Sequence, residues 1–478
     1  MKDSFEYEGN WWLPENPEVS IFGRLTFTPG DKLNLKVEGL LNPKPNNEKI
    51  THADFINPTL VQGVLKDESG IAKDVTIYKC QQFQSSSSLI GSGLHSSSFF
   101  STAAFVGVHF NNVDEVKFKS ISIHFSNAET WSNKYPISMS RGENTGEELI
   151  QYIPPETVWA EIDRTLIRIA FLGPNTSYSY SHVSISYETR VEITPAEEKS
   201  FEEYLELIRR VQNFLSLSMG GPVFPLKIIG SAKANQELVD QSTLYPPVNI
   251  YYLTPWWPST IKEIHFFEML FPLPAIADDF QKYLKNWLEK YQLLTPVINL
   301  YFSVLYNPNS FAEVKFLSLA QAIETYHRRV ADGKYQEDEQ YAELYDKLIS
   351  VIPSSLSDDF KASLKSKLRY GNEYSLRTRL RKVVESATNI LDFEFIKITQ
   401  KRTKFISKVV STRNYWTHYS PELKDEAVQT GEERLIITTQ LQLLLELCFL
   451  KELGFEPITI SELIKKSSRY RLLKEKGL

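Results

Sequence analysis

Cysteine is almost missing from this 478-residue chain: there are two, Cys80 and Cys448. They fall in stretches that read as different domains, so a disulfide framework or a Cys-based zinc site is not expected, and a reducing cytoplasm fits. Long apolar runs are lacking too. The longest, Leu293 to Tyr306, is broken by Pro296 and Asn299 and is too short to span a bilayer. The first residues, Met-Lys-Asp-Ser-Phe-Glu-Tyr-Glu, contain no apolar core of a secretory signal. A soluble, cytoplasmic protein without a membrane partner is therefore expected. No P-loop is present, which argues against regulation through a Walker-type nucleotide site. The histidines His52, His95, His109, His124, His182 and His265 form no HxH, HExxH or His/Cys spacing. No metal site and no cofactor are expected from them.

What is present is ample for globular folding. Hydrophobic residues make up 42% and aromatics 13% of the chain, and the length suggests two or three cores. Up to about residue 195 short runs alternate apolar and polar residues, as half-buried strands do. Examples are Leu33 to Val37, Val75 to Tyr78, Ser120 to Phe125, Leu166 to Phe171 and His182 to Tyr187. Pro29-Gly30, Asn42-Pro43 and Gly173-Pro174 separate such runs as turns. The Ser-rich stretch Gln84 to Ser98 reads as a mobile loop. Trp11 and Trp12 suit either a ligand-stacking surface or the packing of a domain edge.

At Thr194-Pro195-Ala196-Glu197 the pattern changes to a capping box, which predicts a helix carrying Phe201, Tyr204, Leu205, Ile208, Val211 and Leu215 on one face. Pro255 to Pro258 reads as a rigid connector, and Thr260 to Leu294 as helical with breaks near Pro272 and Pro274. A second capping box, Ser310 to Glu313, opens a helix with the stripe Phe316, Leu319, Ala320, Ile323, Tyr326 and Val330. Further helices are expected over about 338–350, 355–370, 375–390 and 393–416. The last starts at the box Thr430 to Glu433 and stops at Gly454. The expected architecture is multi-domain α+β: an N-terminal antiparallel β-rich domain (1–195), a helical bridge (196–305) and a C-terminal all-α helical bundle (306–478).

The chemistry concentrates near the end. Arg413-Asn414-Tyr415-Trp416-Thr417-His418 joins a permanent cation, able to fork two N–H donors onto a phosphate, to an imidazole that exchanges protons near neutrality. Such a pair can cleave RNA without metal. From Lys361 to Arg413 there are 14 Lys or Arg against 4 Asp or Glu, a balance of +10 in a chain of net charge −6. That run suits phosphates, or simply a solvated helix face. Its candidate phosphate-binding residues are Arg377, Arg379, Arg381, Lys401, Lys404 and Lys408. Arg413 and His418 are five positions apart, about 500° of helical rotation, which leaves their side chains about 140° apart. A single helix does not aim both at one phosphate unless it ends between them; a two-fold dimer brings two copies of the motif together.

Arg413 to His418 matches the R-x4-6-H signature of HEPN-domain ribonucleases, including a polar residue after the arginine. Phe316 to Arg329 resembles the first helix of the ApeA-like HEPN branch. Tyr7 to Pro14, Gly107 to Phe110 and the segment running to Trp131 resemble the N-terminal domain that accompanies it. The resemblance implies an all-helical HEPN bundle and an endoribonuclease in anti-phage defence, in which a ribose 2′-OH attacks the adjacent phosphate. It implies His418 as proton carrier, Arg413 as charge stabiliser and Asn414 as a residue that holds the phosphate or orients His418. Glu324 and His327, one turn apart, are candidates for a supporting shell, though His327 also borders the apolar stripe. Implied partners are host RNA (tRNA among the candidates), a second copy of the chain in a homodimer or larger homo-oligomer, and a phage-derived trigger. The competing expectation is a catalytically silent HEPN scaffold that binds RNA or protein, with a ligand-sensing β domain.

Overall fold

The computed structural model describes residues 2–42, 55–66, 70–87, 95–142, 146–254, 257–391, 399–419 and 421–477. His52, Pro43, residues 88–94 of the Ser-rich stretch, Pro255 and Trp256, and the start of the helix expected at 393 lie outside the described residues. The chain divides into two compact units, Met1–Phe266 with Pro272–Gln281, and Phe267–Phe271 with Lys282–Leu478.

In the first unit, among the described residues, fourteen strands form one sheet, and the pairings are antiparallel. One edge strand is Val158–Ile162 and the other Gln81–Ser87. Alternation in the sequence becomes alternation in burial. Leu33, Leu35 and Val37 are buried from Lys32–Val37, and Ile121, Ile123 and Phe125 from Ser120–Phe125. Trp11 is completely buried; a Cβ added at Gly63 would sit 2.3 Å from its ring, so this glycine makes room for the indole. Trp12 donates its indole N–H to Gln62 Oε1 at 2.9 Å. Both tryptophans are therefore engaged in packing.

Two local expectations give way to the sheet. The Gln84 to Ser98 stretch is not a loop at its ends, because Gln81–Ser87 pairs with His95–Phe100 and Ser86 and Ser96 meet across the strands at 2.7 Å. Nor does a helix begin at Thr194. The strand Val183–Pro195 runs through it, pairing Thr194 with Leu166. Helix α2 (Phe201–Met219), which follows the short α1 (Ala128–Ser132), starts six residues later at a capping box formed by Ser200 and Glu203. It ends at Gly220 in the left-handed conformation, φ +68. The stretch 196–305 also supplies two strands of the sheet interior, Pro225–Ser231 and Val248–Tyr252, between Ser120–Phe125 and Ala103–Val106. From Thr260 on, only 3-10 turns at Phe266–Glu268 and Leu273–Ala275 precede helix α3 (Phe280–Tyr306).

The second unit is helical: α3, α4 (Ala312–Val330), α5 (Asp338–Ser350), α6 (Asp358–Arg369), α7 (Leu376–Thr388), α8 (Thr399–His418), α9 (Gly431–Leu453), α10 (Pro457–Lys466) and α11 (Ser468–Glu475). This is the multi-domain α+β class, an antiparallel sheet domain followed by a helical region. Helix α9 is buried on most sides from Ile437 to Leu453, as a central helix must be. Its capping box at Thr430 and Glu433 forms, and Gly454 ends it at φ +88. The box at Ser310 does not form: Phe311 is the N-cap, Ser310 Oγ donates to Asn307 O, and Glu313 instead pairs with Arg434 at 2.7 Å.

Candidate active site

Helix α8 carries the Arg413 to His418 motif, and its buried side fixes how the motif is presented. Phe405, Ile406, Val409, Thr412 and Trp416 point into the bundle. The Trp416 ring meets Phe316 of α4 edge-on, centroids 5.0 Å apart, and the Arg434 guanidinium lies 5.6 Å from its centroid. Thr412 Oγ1 accepts the Val428 N–H at 3.0 Å, and Ser411 donates to Glu426 at 2.8 Å, so the segment after the motif is tied back onto α8. With that side locked inward, Arg413 and Asn414 are half-buried and His418 is exposed.

The helix is continuous from Arg413 to His418. It therefore does not unwind between them, and the two side chains stay about 140° apart and about 7.5 Å apart along the axis. Tyr419, at φ +52, ends it immediately afterwards, and Pro421 opens a 3-10 turn. Arg413 Nη1 donates to Asn414 Oδ1 at 3.2 Å, so the amide orients the arginine rather than His418 within this chain. Among the described residues the His418 imidazole makes no hydrogen bond or ion pair.

Glu324 and His327 belong to a different cluster. Phe316, which meets Trp416, precedes Glu324 by about 12 Å and His327 by about 16 Å along α4. Glu324 accepts from Arg328 at 3.1 Å, and Arg328 also pairs with Glu373. His327 is 5% exposed and its Nδ1 faces Arg379 Nη1 at 3.3 Å. Burial pushes the His327 imidazole below its usual pKa, and the Arg379 and Lys382 charges push the same way. No hydrogen bond or ion pair among the described residues joins either residue to Arg413 or His418.

The expected phosphate-binding residues separate into two groups. Arg379 is the correction: it is 2% exposed, with Nε on Tyr374 O at 3.0 Å, Nη2 on Gly333 O at 3.3 Å and Glu373 at 3.7 Å. A guanidinium engaged on these inward partners has no face for a phosphate, and it packs so close to Gly333 that a Cβ there would lie 2.1 Å from Nη1. Arg377, Arg381, Lys401 and Lys404 are exposed and Lys408 is half-buried. Arg377 reaches Ser407 Oγ at 2.8 Å, joining α7 to α8. The Gln429 N–H holds the Glu433 carboxylate below the usual range, with the Lys408 and Lys404 charges acting in the same direction, so these lysines lie beside the start of α9. Sequence reasoning missed Glu373, counted only among the acidic minority, as the counter-ion of both Arg328 and Arg379. It also missed Arg434 behind Trp416; neither has a local signal.

Comparison with protein families gives two matches, ApeA N-terminal domain 1 over residues 6–287 and Apea-like HEPN over residues 317–457. The first spans more than half of the sequence. The chain belongs to the ApeA-like HEPN family. Its HEPN match contains α8 and the whole Arg413 to His418 motif, and HEPN domains are generally ribonucleases that commonly bind RNA and dimerise. Searches of curated proteins and of solved structures returned no match. In this ApeA-like HEPN protein, no helix among the described residues is long and apolar enough to cross a membrane.

Proposed function

We propose that this ApeA-like HEPN protein is a metal-independent endoribonuclease of anti-phage defence that acts in the cytoplasm on host RNA, with tRNA among the candidates. The observation that carries the reading is one locked, continuous helix within the HEPN match that leaves His418 exposed and Arg413 half-buried at the flank of its inward side. A ribose 2′-OH attacks the adjacent phosphorus, and the 5′-oxygen leaves. His418 moves the proton at one of these two oxygens. Arg413, held by Asn414, stabilises the charge that develops on the phosphoryl oxygens. The products are a 2′,3′-cyclic phosphate and a 5′-hydroxyl. Because one helix holds the two groups about 140° apart, the complete site lies across a two-fold interface between copies of the chain. The N-terminal β domain and the helical bridge restrain or trigger the nuclease in response to a phage-derived signal.

End-mapping of RNA treated with wild type, Arg413→Ala and His418→Ala tests the reading. Wild type should leave the cyclic ends and spare a strand with a single deoxyribose at the cut position, in the presence of excess EDTA. Each variant should lose about 10²–10⁴-fold in rate while remaining folded. A folded His418→Ala protein that cuts like wild type removes the assignment.

A further inference from the structure

The side of α8 next to His418 carries a pair of aromatic rings that the core does not use. Trp416 is buried, but Tyr415 is only half-buried and Tyr419 is 66% exposed. Their ring centroids are 5.7 Å apart with planes at 63°, an open angle with one ring edge toward the other. Neither phenol hydroxyl makes a hydrogen bond among the described residues. Helical rotation places Tyr415 about 60° from His418, and Tyr419, the first residue after the helix, sets its ring against Tyr415. The backbone adds a second observation. Tyr419 sits at φ +52, where bulky side chains are rare and a helix end ordinarily takes glycine.

We propose that Tyr415 and Tyr419 form a stacking platform for the RNA base adjoining the scissile phosphate, and so set the base preference of cleavage. This rests on the ribonuclease reading above. A base seated on the pair brings its own ribose to the His418 side of the helix. Stacking on aromatic rings tolerates every base but is stronger for larger ones, so purines at this position are preferred. Tyr415 and Tyr419 are specificity residues; proton transfer stays with His418.

The discriminating variant is Tyr419→Gly, because glycine suits the left-handed backbone and removes only the ring. It should melt at or above the wild-type temperature. With a short RNA it should raise KM roughly tenfold or more with a smaller change in kcat, and flatten the purine preference in end-mapping. Tyr419→Phe should keep both, and Tyr415→Leu should resemble Tyr419→Gly. A strand carrying 2-aminopurine at the platform position is followed in parallel, cut or uncut. Wild type should quench its emission by stacking, and Tyr419→Gly should not. Wild-type KM and unchanged cut sites in Tyr419→Gly overturn the proposal, as does a wild type that binds the strand without quenching it. Loss of the dimer in either variant by sedimentation also overturns it, since the rings then contact protein. A wild type that quenches but never cuts removes the ribonuclease reading and leaves the platform standing.

Discussion

The Nη1 of Arg379 lies 3.3 Å from the Nδ1 of His327, and both side chains are buried. A guanidinium only donates, so Nδ1 accepts and the imidazole is neutral with its proton on Nε2. This arrangement ties α7 to α4, and it makes stability depend on pH.

The folded-state pKa of His327 is lowered by burial and by its cationic neighbours, whereas in the unfolded chain it titrates near 6.5. As pH falls below about 6.5 the unfolded chain takes up a proton that the folded one refuses, so stability is complete above that pH and declines below it. His327→Gln keeps an acceptor without a titrating group, so its melting temperature should fall less than that of wild type between pH 7.5 and 5.5. Parallel curves for the two proteins count against the assigned tautomer.

Removing the cation should be costly. Arg379→Met leaves Tyr374 O and Gly333 O without their donor, and an acceptor left unpaired in the interior costs about 1–3 kcal/mol. Lysine lacks the planar fork that reaches several partners at once, so Arg379→Lys should recover only part of the loss. Exposed Arg377→Glu should stay within about 0.5 kcal/mol. Denaturant midpoints compare all three.

For RNA affinity the order should reverse. Arg381→Glu and Lys404→Glu, on exposed positions, should weaken binding and lower the salt-dependence slope by about one each. A folded Arg379 variant should keep the wild-type slope. Titrations from low to physiological salt decide, and a flat wild-type affinity returns this surface to ordinary solvation.

The composite site predicts complementation. If Arg413 of one chain works with His418 of the other, the two single alanine variants are each inactive. Their re-equilibrated mixture regains one intact site per heterodimer, about half of all dimers under free exchange. A wild-type chain held monomeric by interface substitutions should be inactive. Full activity in a verified monomer eliminates the composite site, whatever the mixture does.

How much could be read in advance depended on how far apart the deciding residues lie. The strand Lys32–Val37, the Thr430 and Glu433 cap and the stop at Gly454 follow from neighbours within a few positions, because their hydrogen bonds and side-chain periods are local. The 140° offset of Arg413 and His418 follows from spacing alone once the helix is continuous. Elsewhere equally plausible local signals lost to distant partners. Pro195 stays in a strand because the sheet pairs Thr194 with Leu166, and Ser310 loses its cap because Glu313 is drawn to Arg434, 121 residues away. The basic run looked uniform in sequence, yet Arg379 was taken inside by groups 46 and 52 residues away, Gly333 and His327, while Arg377 and Arg381 stayed out. An arginine's charge is fixed by its chemistry, but its solvent exposure depends on which helices pack around it, and only the tertiary structure decided that.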